Sequence, residues 1–146
     1  MSKTSLATFA LAAISIFPIS MRAQNAPADA FSMRTPEQVV AHHFNAFTHH
    51  DVEAVMSDYA DDAIFIAPKQ TVQGKAALRK MFESFPTNKA PIFEAKITAD
   101  GDVGYEHWVM NPGKPDSVSG TDAFVVRHGK ILFHTVVTVE PASSKQ

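Results

Sequence analysis

The order of helices and strands along the chain limits the fold more than any single motif does. The second half of the sequence reads as four strands, Ile92–Ala99, Val103–Met110, Thr121–Arg127 and Ile131–Glu140. Short turns at Asp100-Gly101-Asp102 and His128-Gly129 separate two pairs of these strands, which is typical of antiparallel hairpins. Because helical patterns precede the strands, the order predicts an α+β domain whose helices cover one concave face of a curved antiparallel sheet.

Two short helices are predicted at the start of the domain. Thr35, Pro36 and Gln38 supply an N-cap, a proline at the first helical position and the third residue of a capping box. Apolar side chains then recur at helical spacing as far as residue 47. Asp51 can cap a second helix, which we extend to Tyr59 on the same apolar side.

A strand and a third helix complete the first half of the domain. A turn at Asp61-Asp62 leads into the apolar strand 63–66, which ends at Ala67-Pro68. After a loop, residues 74–82 read as the third helix, and Pro86 closes it.

The first 23 residues have the pattern of a secretory signal peptide. Lys3 supplies a positive charge, residues 6–20 carry none and are mostly apolar, and Ala23 precedes the expected cleavage. A retained membrane anchor is the alternative, although the apolar run is short for a membrane-spanning helix. Export to the periplasm or the medium is therefore expected. The predicted organisation is a signal peptide (1–23), a flexible lead-in (24–34), one domain (35–140) and a tail (141–146).

Composition excludes several classes of partner. The chain has 146 residues, a formal net charge of −2 and no cluster of basic residues, which argues against nucleic acid or an anionic membrane surface as partner. It has no cysteine, so an exported form must be stabilised by its core without disulfides.

The spacing of the histidines in the first helix argues against a metal site. The pairs His42-His43 and His49-His50 lie about two helical turns apart, roughly 10 Å, which is too far for one ion. We predict no metal site and no cofactor.

Three segments carry a resemblance to a known family. YADDAIFIAP (59–68), VQGKAALRKMF (72–82) and TDAFVVRHGKI (121–131) resemble the nuclear transport factor 2-like superfamily, in its SnoaL-like and ketosteroid isomerase-like branch. The resemblance implies a cone-shaped cystatin-like roll, in which three N-terminal helices and a curved sheet enclose an apolar pocket. It also implies a homodimer formed through the convex face of the sheet. It says little about the reaction, because such folds host enzymes and binding proteins alike.

The resemblance also assigns roles to positions. Ketosteroid isomerases need a carboxylate base together with an oxyanion hole formed by a tyrosine and a protonated acid. The base position falls on Ala67, whose methyl group cannot accept a proton. The tyrosine position falls on His43 and the acid position on Asp122. The standard isomerase mechanism is therefore not expected.

Histidines on two strands offer a replacement base. In Val103–Val109 the alternating set that contains Tyr105 and His107 is the more apolar one, so we expect this set to face the cavity. Glu106 and Trp108 would then lie on the dimer face. His134 faces the cavity by the family pattern, so His107 or His134 could act as base with Asp122 as acid. The alternative is that each histidine satisfies a hydrogen bond inside the core.

These observations predict a site and two possible functions. The predicted pocket residues are His43, Phe47, Tyr59, Phe65, Ala67, Met81, Tyr105, Val109, Phe124 and Val136, and the candidate catalytic residues are Asp122, His107 and His134. The first function is an exported domain that binds a small hydrophobic molecule. The alternative is an isomerase- or cyclase-type enzyme that transfers protons through histidine and Asp122.

Overall fold

The computed structural model describes residues 34–86 and 93–139. The predicted signal peptide, the lead-in up to residue 33 and the tail lie outside these residues. The same holds for the first residue of the predicted strand Ile92–Ala99 and the last residue of the predicted strand Ile131–Glu140.

The described part contains three helices and six strands. The helices are α1 (Pro36–Thr48), α2 (Val52–Asp58) and α3 (Lys75–Glu83). The strands are β1 (Tyr59–Ala67), β2 (Gln70–Gln73), β3 (Phe93–Asp100), β4 (Val103–Met110), β5 (Val118–Arg127) and β6 (Lys130–Val139). None of the helices in this part of the chain is long and apolar enough to cross a membrane.

Local side-chain chemistry explains where the first two helices begin. The Thr35 hydroxyl accepts a hydrogen bond from the Gln38 backbone, and the Gln38 side chain accepts one from the Thr35 backbone at 2.9 Å. This reciprocal pair is the predicted capping box, and it satisfies backbone donors that the first helical turn leaves free. Asp51 caps α2 by accepting from the Ala54 backbone at 3.0 Å. Both predicted helix starts are confirmed.

The six strands form one sheet in the order β2-β1-β6-β5-β4-β3. All neighbouring pairs are antiparallel except β1 and β6, which run parallel. The buried faces of α1 and α3 lie against one side of this sheet, where Val39, Val40, Leu78 and Phe82 are part of the apolar core. The predicted α+β class, with three helices covering a curved sheet, is confirmed.

The segment around β1 differs from the prediction in two respects. Tyr59 begins β1 instead of ending the second helix, and Asp61 and Asp62 lie within this strand instead of forming a turn. The pairing of β1 with β6 shifts register between Tyr59 and Ile64, so an irregular section interrupts the alternation of faces. The short polar strand β2 lies where a loop is predicted. The exposed QTVQ sequence has almost no apolar alternation, so nothing in it indicated a strand.

The predicted orientation of β4 is wrong. Val103 and Tyr105 are 50% and 42% exposed on the convex face of the sheet, and His107 and Val109 share that face. The concave face carries the other set, which begins with Gly104. A Cβ atom at Gly104 would lie 2.6 Å from a methyl carbon of Val40, so only glycine allows α1 to pack this closely on β4.

Candidate ligand-binding and acid-base site

A cavity of about 310 Å³ lies between the helices and the concave face of the sheet. Its lining is mainly aromatic and apolar, with a small number of polar side chains. The lining residues are His43, Phe44, Phe47, Phe65, Ala67, Gln70, Phe82, Phe85, Phe93, Glu106, Trp108, Met110, Asp122, His134, Val136 and Thr138. Gln70, Phe85 and Thr138 are exposed, which places the opening of the cavity at their side.

The predicted site residues fall into three groups. Those that line the cavity are His43, Phe47, Phe65, Ala67, Asp122, His134 and Val136. Tyr59 and Phe124 are fully buried beside His134, and Met81 is partly buried against the core. Tyr105, His107 and Val109 lie on the convex face, so the structure does not bring His107 to Asp122 and His134.

The cavity also has lining residues that the sequence reasoning missed. They are Phe44, Gln70, Phe82, Phe85, Phe93, Glu106, Trp108, Met110 and Thr138. The predicted place of Glu106 and Trp108 on the dimer face is wrong, because it follows from the reversed orientation of β4. Gly104 is the signal that could have corrected this, since a glycine inside a strand often marks close approach of another element.

A chain of hydrogen bonds connects Tyr59, His134, Asp122 and Trp108. The Tyr59 hydroxyl lies 2.5 Å from Nδ1 of His134, and Nε2 of His134 lies 3.0 Å from Oδ2 of Asp122. The Trp108 indole N–H donates to Oδ1 of Asp122 at 2.9 Å. Burial, followed by the charges of Asp122 and Asp58, raises the pKa of Tyr59 well above its usual value, so the hydroxyl keeps its proton.

The neighbours of the His134 ring define the roles of its nitrogens. The carboxylate of Asp122 can only accept, so Nε2 carries a proton and donates to it, and in the neutral ring Nδ1 then accepts from the Tyr59 hydroxyl. The ring is held by stacking on Phe124, with centroids 4.2 Å apart, and by an edge contact with Phe65. Asp122 therefore accepts two hydrogen bonds, one at each carboxylate oxygen.

His43 lies at the centre of a ring cluster. Its imidazole makes edge contacts with Tyr59, Phe82, Phe124 and His134. Its Nδ1 is buried and has no hydrogen-bond partner within residues 34–86 and 93–139. Burial, with a smaller effect of nearby histidines, lowers the pKa of His43 well below its usual value, so the ring is neutral.

Glu106 is the most perturbed acid in the cavity. It pairs directly with Asp122 across β4 and β5, so both carboxyl groups project from the same face of the sheet. The residue is 2% exposed, and its Oε1 has no hydrogen-bond partner in the part of the chain that the structure describes. Burial first, and the charge of Asp122 second, raise the pKa of Glu106 to about 8. Glu106 is therefore a mostly neutral acid at pH 7.

The remaining site chemistry concerns Ala67 and metal ions. Ala67 lines the cavity at the position where the resemblance places the isomerase base. In the described ranges, no three His, Asp or Glu side chains are grouped so that they could hold a metal ion. The acid-base groups of this cavity are thus Glu106, Asp122 and the two buried histidines.

Comparison with known protein families identifies the family to which this chain belongs. The model of the SnoaL-like domain family matches residues 40–134, which is more than half of the chain. The chain belongs to the SnoaL-like domain family. No curated protein sequence matches it.

Solved structures show the same fold at low sequence identity. An NTF2-like protein of unknown function from Burkholderia xenovorans is 19% identical, with a TM-score of 0.63, over 75% of this chain and 86% of that one. A protein from Kribbella flavida, provisionally named a ketosteroid isomerase, is 15% identical, with a TM-score of 0.65, over 76% and 82%. A protein from Sinorhizobium meliloti, provisionally named a polyketide cyclase, is 23% identical, with a TM-score of 0.56, over 68% and 93%. At these identities the likeness establishes the fold alone.

Proposed function

We propose that this SnoaL-like domain is exported and binds a small, mainly apolar molecule with one polar group inside the cavity. The observation that carries the proposal is a concave, ring-lined cavity of about 310 Å³ that contains a few converging polar groups. This combination is typical of small-molecule sites. The export is supported by the pattern of the first 23 residues.

Glu106 is the proposed anchor for the polar group of the ligand. A buried polar atom without a partner costs roughly 1–3 kcal/mol, and natural proteins rarely keep one without a functional reason. Both oxygens of Asp122 already accept hydrogen bonds from Trp108 and His134. Oε1 of Glu106 has none within the described residues, so a ligand group that binds it offsets the cost of its burial.

Trp108 gives a direct test of binding, because it is the only tryptophan of the chain and lines the cavity. We expect phenethyl alcohol to change its fluorescence saturably. Val136→Phe adds a ring inside the cavity and should weaken this binding at least about tenfold, since the ligand and the new ring compete for the same volume. Val137→Phe is the matched control, because the neighbouring Val137 is 54% exposed. Equal binding by wild type and Val136→Phe would contradict the proposal.

Proton transfer is the second candidate function, and the raised pKa of Glu106 supports it. A carboxyl group with a pKa of about 8 can both accept and donate a proton near neutral pH. It could replace the base that Ala67 lacks, with the Asp122–His134 pair as a second acid-base group. The test is deuterium exchange at the α-carbon of acetophenone in D₂O, in which a base removes the α-proton and a solvent deuteron replaces it. Exchange at the buffer rate despite binding would leave binding alone as the function.

We also propose that the convex face of the sheet binds a second copy of the chain. Large apolar side chains are exposed there, and they include Ile66, Tyr105, Phe133, Val137 and Val139. Contiguous exposed apolar residues on a soluble domain mark interaction surfaces, and the dimers that the family resemblance implies support this choice of partner.

Val137→Glu tests this interface, because it places a charge in the middle of the apolar face. Sedimentation velocity at micromolar concentration should give a dimer for the wild type and a monomer for the variant. Val136→Phe, on the opposite face of the same strand, should remain dimeric. A wild-type monomer under these conditions would contradict the proposal.

A further inference from the structure

The charges around the cavity restrict which polar group the ligand can carry. We propose that the ligand is a cationic amine with an apolar body, and that its ammonium group binds Glu106 among the aromatic rings. This inference rests on the function proposed above, because it names the chemical class of molecule for the same cavity.

The polar lining of the cavity is acidic. Glu106 and Asp122 project side by side from paired positions of β4 and β5. None of the described residues that line the cavity is lysine or arginine. The other lining side chains with polar atoms are His43, Gln70, Trp108, His134 and Thr138. His43 is neutral because burial lowers its pKa. A ligand carboxylate would thus face like charge without a cationic partner, whereas an ammonium group would face opposite charge.

The apolar lining is also suited to a cation. Six phenylalanine rings and one tryptophan line the cavity: Phe44, Phe47, Phe65, Phe82, Phe85, Phe93 and Trp108. Several pack edge to face, as Phe44 and Trp108 do on Phe93. The face of an aromatic ring carries negative electrostatic potential, so the rings attract an ammonium group that lies over their faces. A neutral ligand of the same size lacks this electrostatic attraction to the rings.

Glu106 is the carboxyl group of the cavity that remains available to an ammonium group. Its direct strand neighbours are Asp122 on β5 and Ile97 on β3, and the other titratable groups that line the same cavity are His134 from β6 and His43 from α1. Asp122 is engaged by Trp108 and His134, whereas Oε1 of Glu106 has no partner within the described residues. An N–H of the ligand would satisfy this atom with a charge-assisted hydrogen bond.

Binding of an ammonium group has a protonation signature that a neutral ligand lacks. In the empty cavity, burial and Asp122 keep Glu106 mostly protonated at pH 7. A bound cation favours the carboxylate, so Glu106 gives up its proton to solvent as the complex forms. A neutral ligand that accepts a hydrogen bond from Glu106 instead needs this proton to stay. The two ligand classes therefore predict opposite pH dependence.

The experiment compares phenethylamine with phenethyl alcohol, which has the same carbon skeleton and no charge. Trp108 fluorescence gives the affinities between about pH 6 and pH 8, where a simple amine stays protonated. We expect the affinity for phenethylamine to rise by up to about tenfold per pH unit, because one proton is released on binding. The affinity for phenethyl alcohol should stay level or fall. Phenylacetate should bind at least about tenfold more weakly than phenethylamine at the upper pH.

Two variants assign the effect to Glu106. Glu106→Gln keeps the shape of the side chain and removes its charge, so phenethylamine should bind at least about tenfold more weakly at pH 8 and lose its pH dependence. Phenethyl alcohol should change by less than about threefold. Glu94→Gln is the control, since Glu94 is an exposed residue of β3 outside the cavity lining, and it should behave as the wild type.

The outcomes separate this inference from the proposed function. Tighter binding of phenethyl alcohol than of phenethylamine, or an amine affinity that is independent of pH, would overturn the assignment of a cationic ligand and leave the binding cavity standing. Failure of both probes to bind would overturn the cationic ligand and count against the binding function as well.

Discussion

Replacing Glu106 with glutamine is expected to stabilise the protein by an amount that grows with pH. In the folded state the pKa of Glu106 is about 8, compared with 4.5 for an unperturbed glutamate. Between these values the folded state binds more protons than the unfolded state, so the free energy of unfolding of the wild type falls as pH rises. The loss is about 3 kcal/mol between about pH 5 and pH 8. Glutamine cannot ionise and avoids this loss.

Urea unfolding of both proteins across this pH range measures the effect. The difference between variant and wild type isolates Glu106, because the opposing titration of buried His43 is present in both. Glu94→Gln is again the control, as its side chain is exposed, and it should follow the wild type. A constant difference between wild type and Glu106→Gln across the range would show that Glu106 is ionised in the folded protein. A gain in stability on replacing Glu106 would mean that the protein keeps this residue at a cost to its folding stability, as is common for residues that serve function.

Replacing Gly120 with alanine is expected to destabilise the protein by about 2–3 kcal/mol and to displace Trp108. A Cβ atom at Gly120 would lie 2.3 Å from the indole ring of Trp108 and 2.8 Å from the carbonyl oxygen of Val137. Gly120 and Trp108 are paired across β5 and β4, so the glycine leaves the space in which the indole lies. Moving the ring breaks its 2.9 Å hydrogen bond to Asp122.

The emission maximum of Trp108 and a urea unfolding curve test this prediction together. The maximum should shift in Gly120→Ala because the indole changes its surroundings. Ser119→Ala, at the adjacent position of β5, should leave both measurements within about 0.5 kcal/mol and a few nanometres of wild type. An unchanged spectrum in Gly120→Ala would mean that Gly120 does not position Trp108.

Local chemistry made the helices predictable from sequence. Thr35 and Asp51 cap α1 and α2 through contacts that span only three residues, and no distant part of the chain is needed to form them. The antiparallel strands at the end of the domain were predictable for the same reason, because short turns join β3 to β4 and β5 to β6. The polar strand β2 was not, since its pairing with β1 determines its structure.

The orientation of β4 shows what periodicity cannot decide. Alternation separates two faces of a strand, but both faces of β4 carry large side chains, with Val103 and Tyr105 on one and Trp108 on the other. Apolar character alone favours the wrong face as the inner one, because the convex face of this sheet also carries large apolar side chains. The same error places Glu106, the most perturbed acid in the cavity, on the outside.

The resemblance predicted positions near the cavity better than it predicted chemistry. Asp122 and His134 line the cavity as the family pattern implied, and Ala67 lines it without a group that can act as base. The contacts that define their roles come from Tyr59 and Trp108, which are far from both in sequence. Such contacts depend on the assembled sheet, and no motif encodes them.

A crystal structure of the protein soaked with phenethylamine at about pH 8 directly tests whether the cavity binds a cationic ligand, since Glu106 is about half ionised at that pH. We expect electron density for the ligand inside the cavity, with its nitrogen within hydrogen-bond distance of Glu106 and its ring among the phenylalanines. A cavity closed by those phenylalanine rings, with the ligand absent or bound to the outside of the sheet, would contradict this expectation.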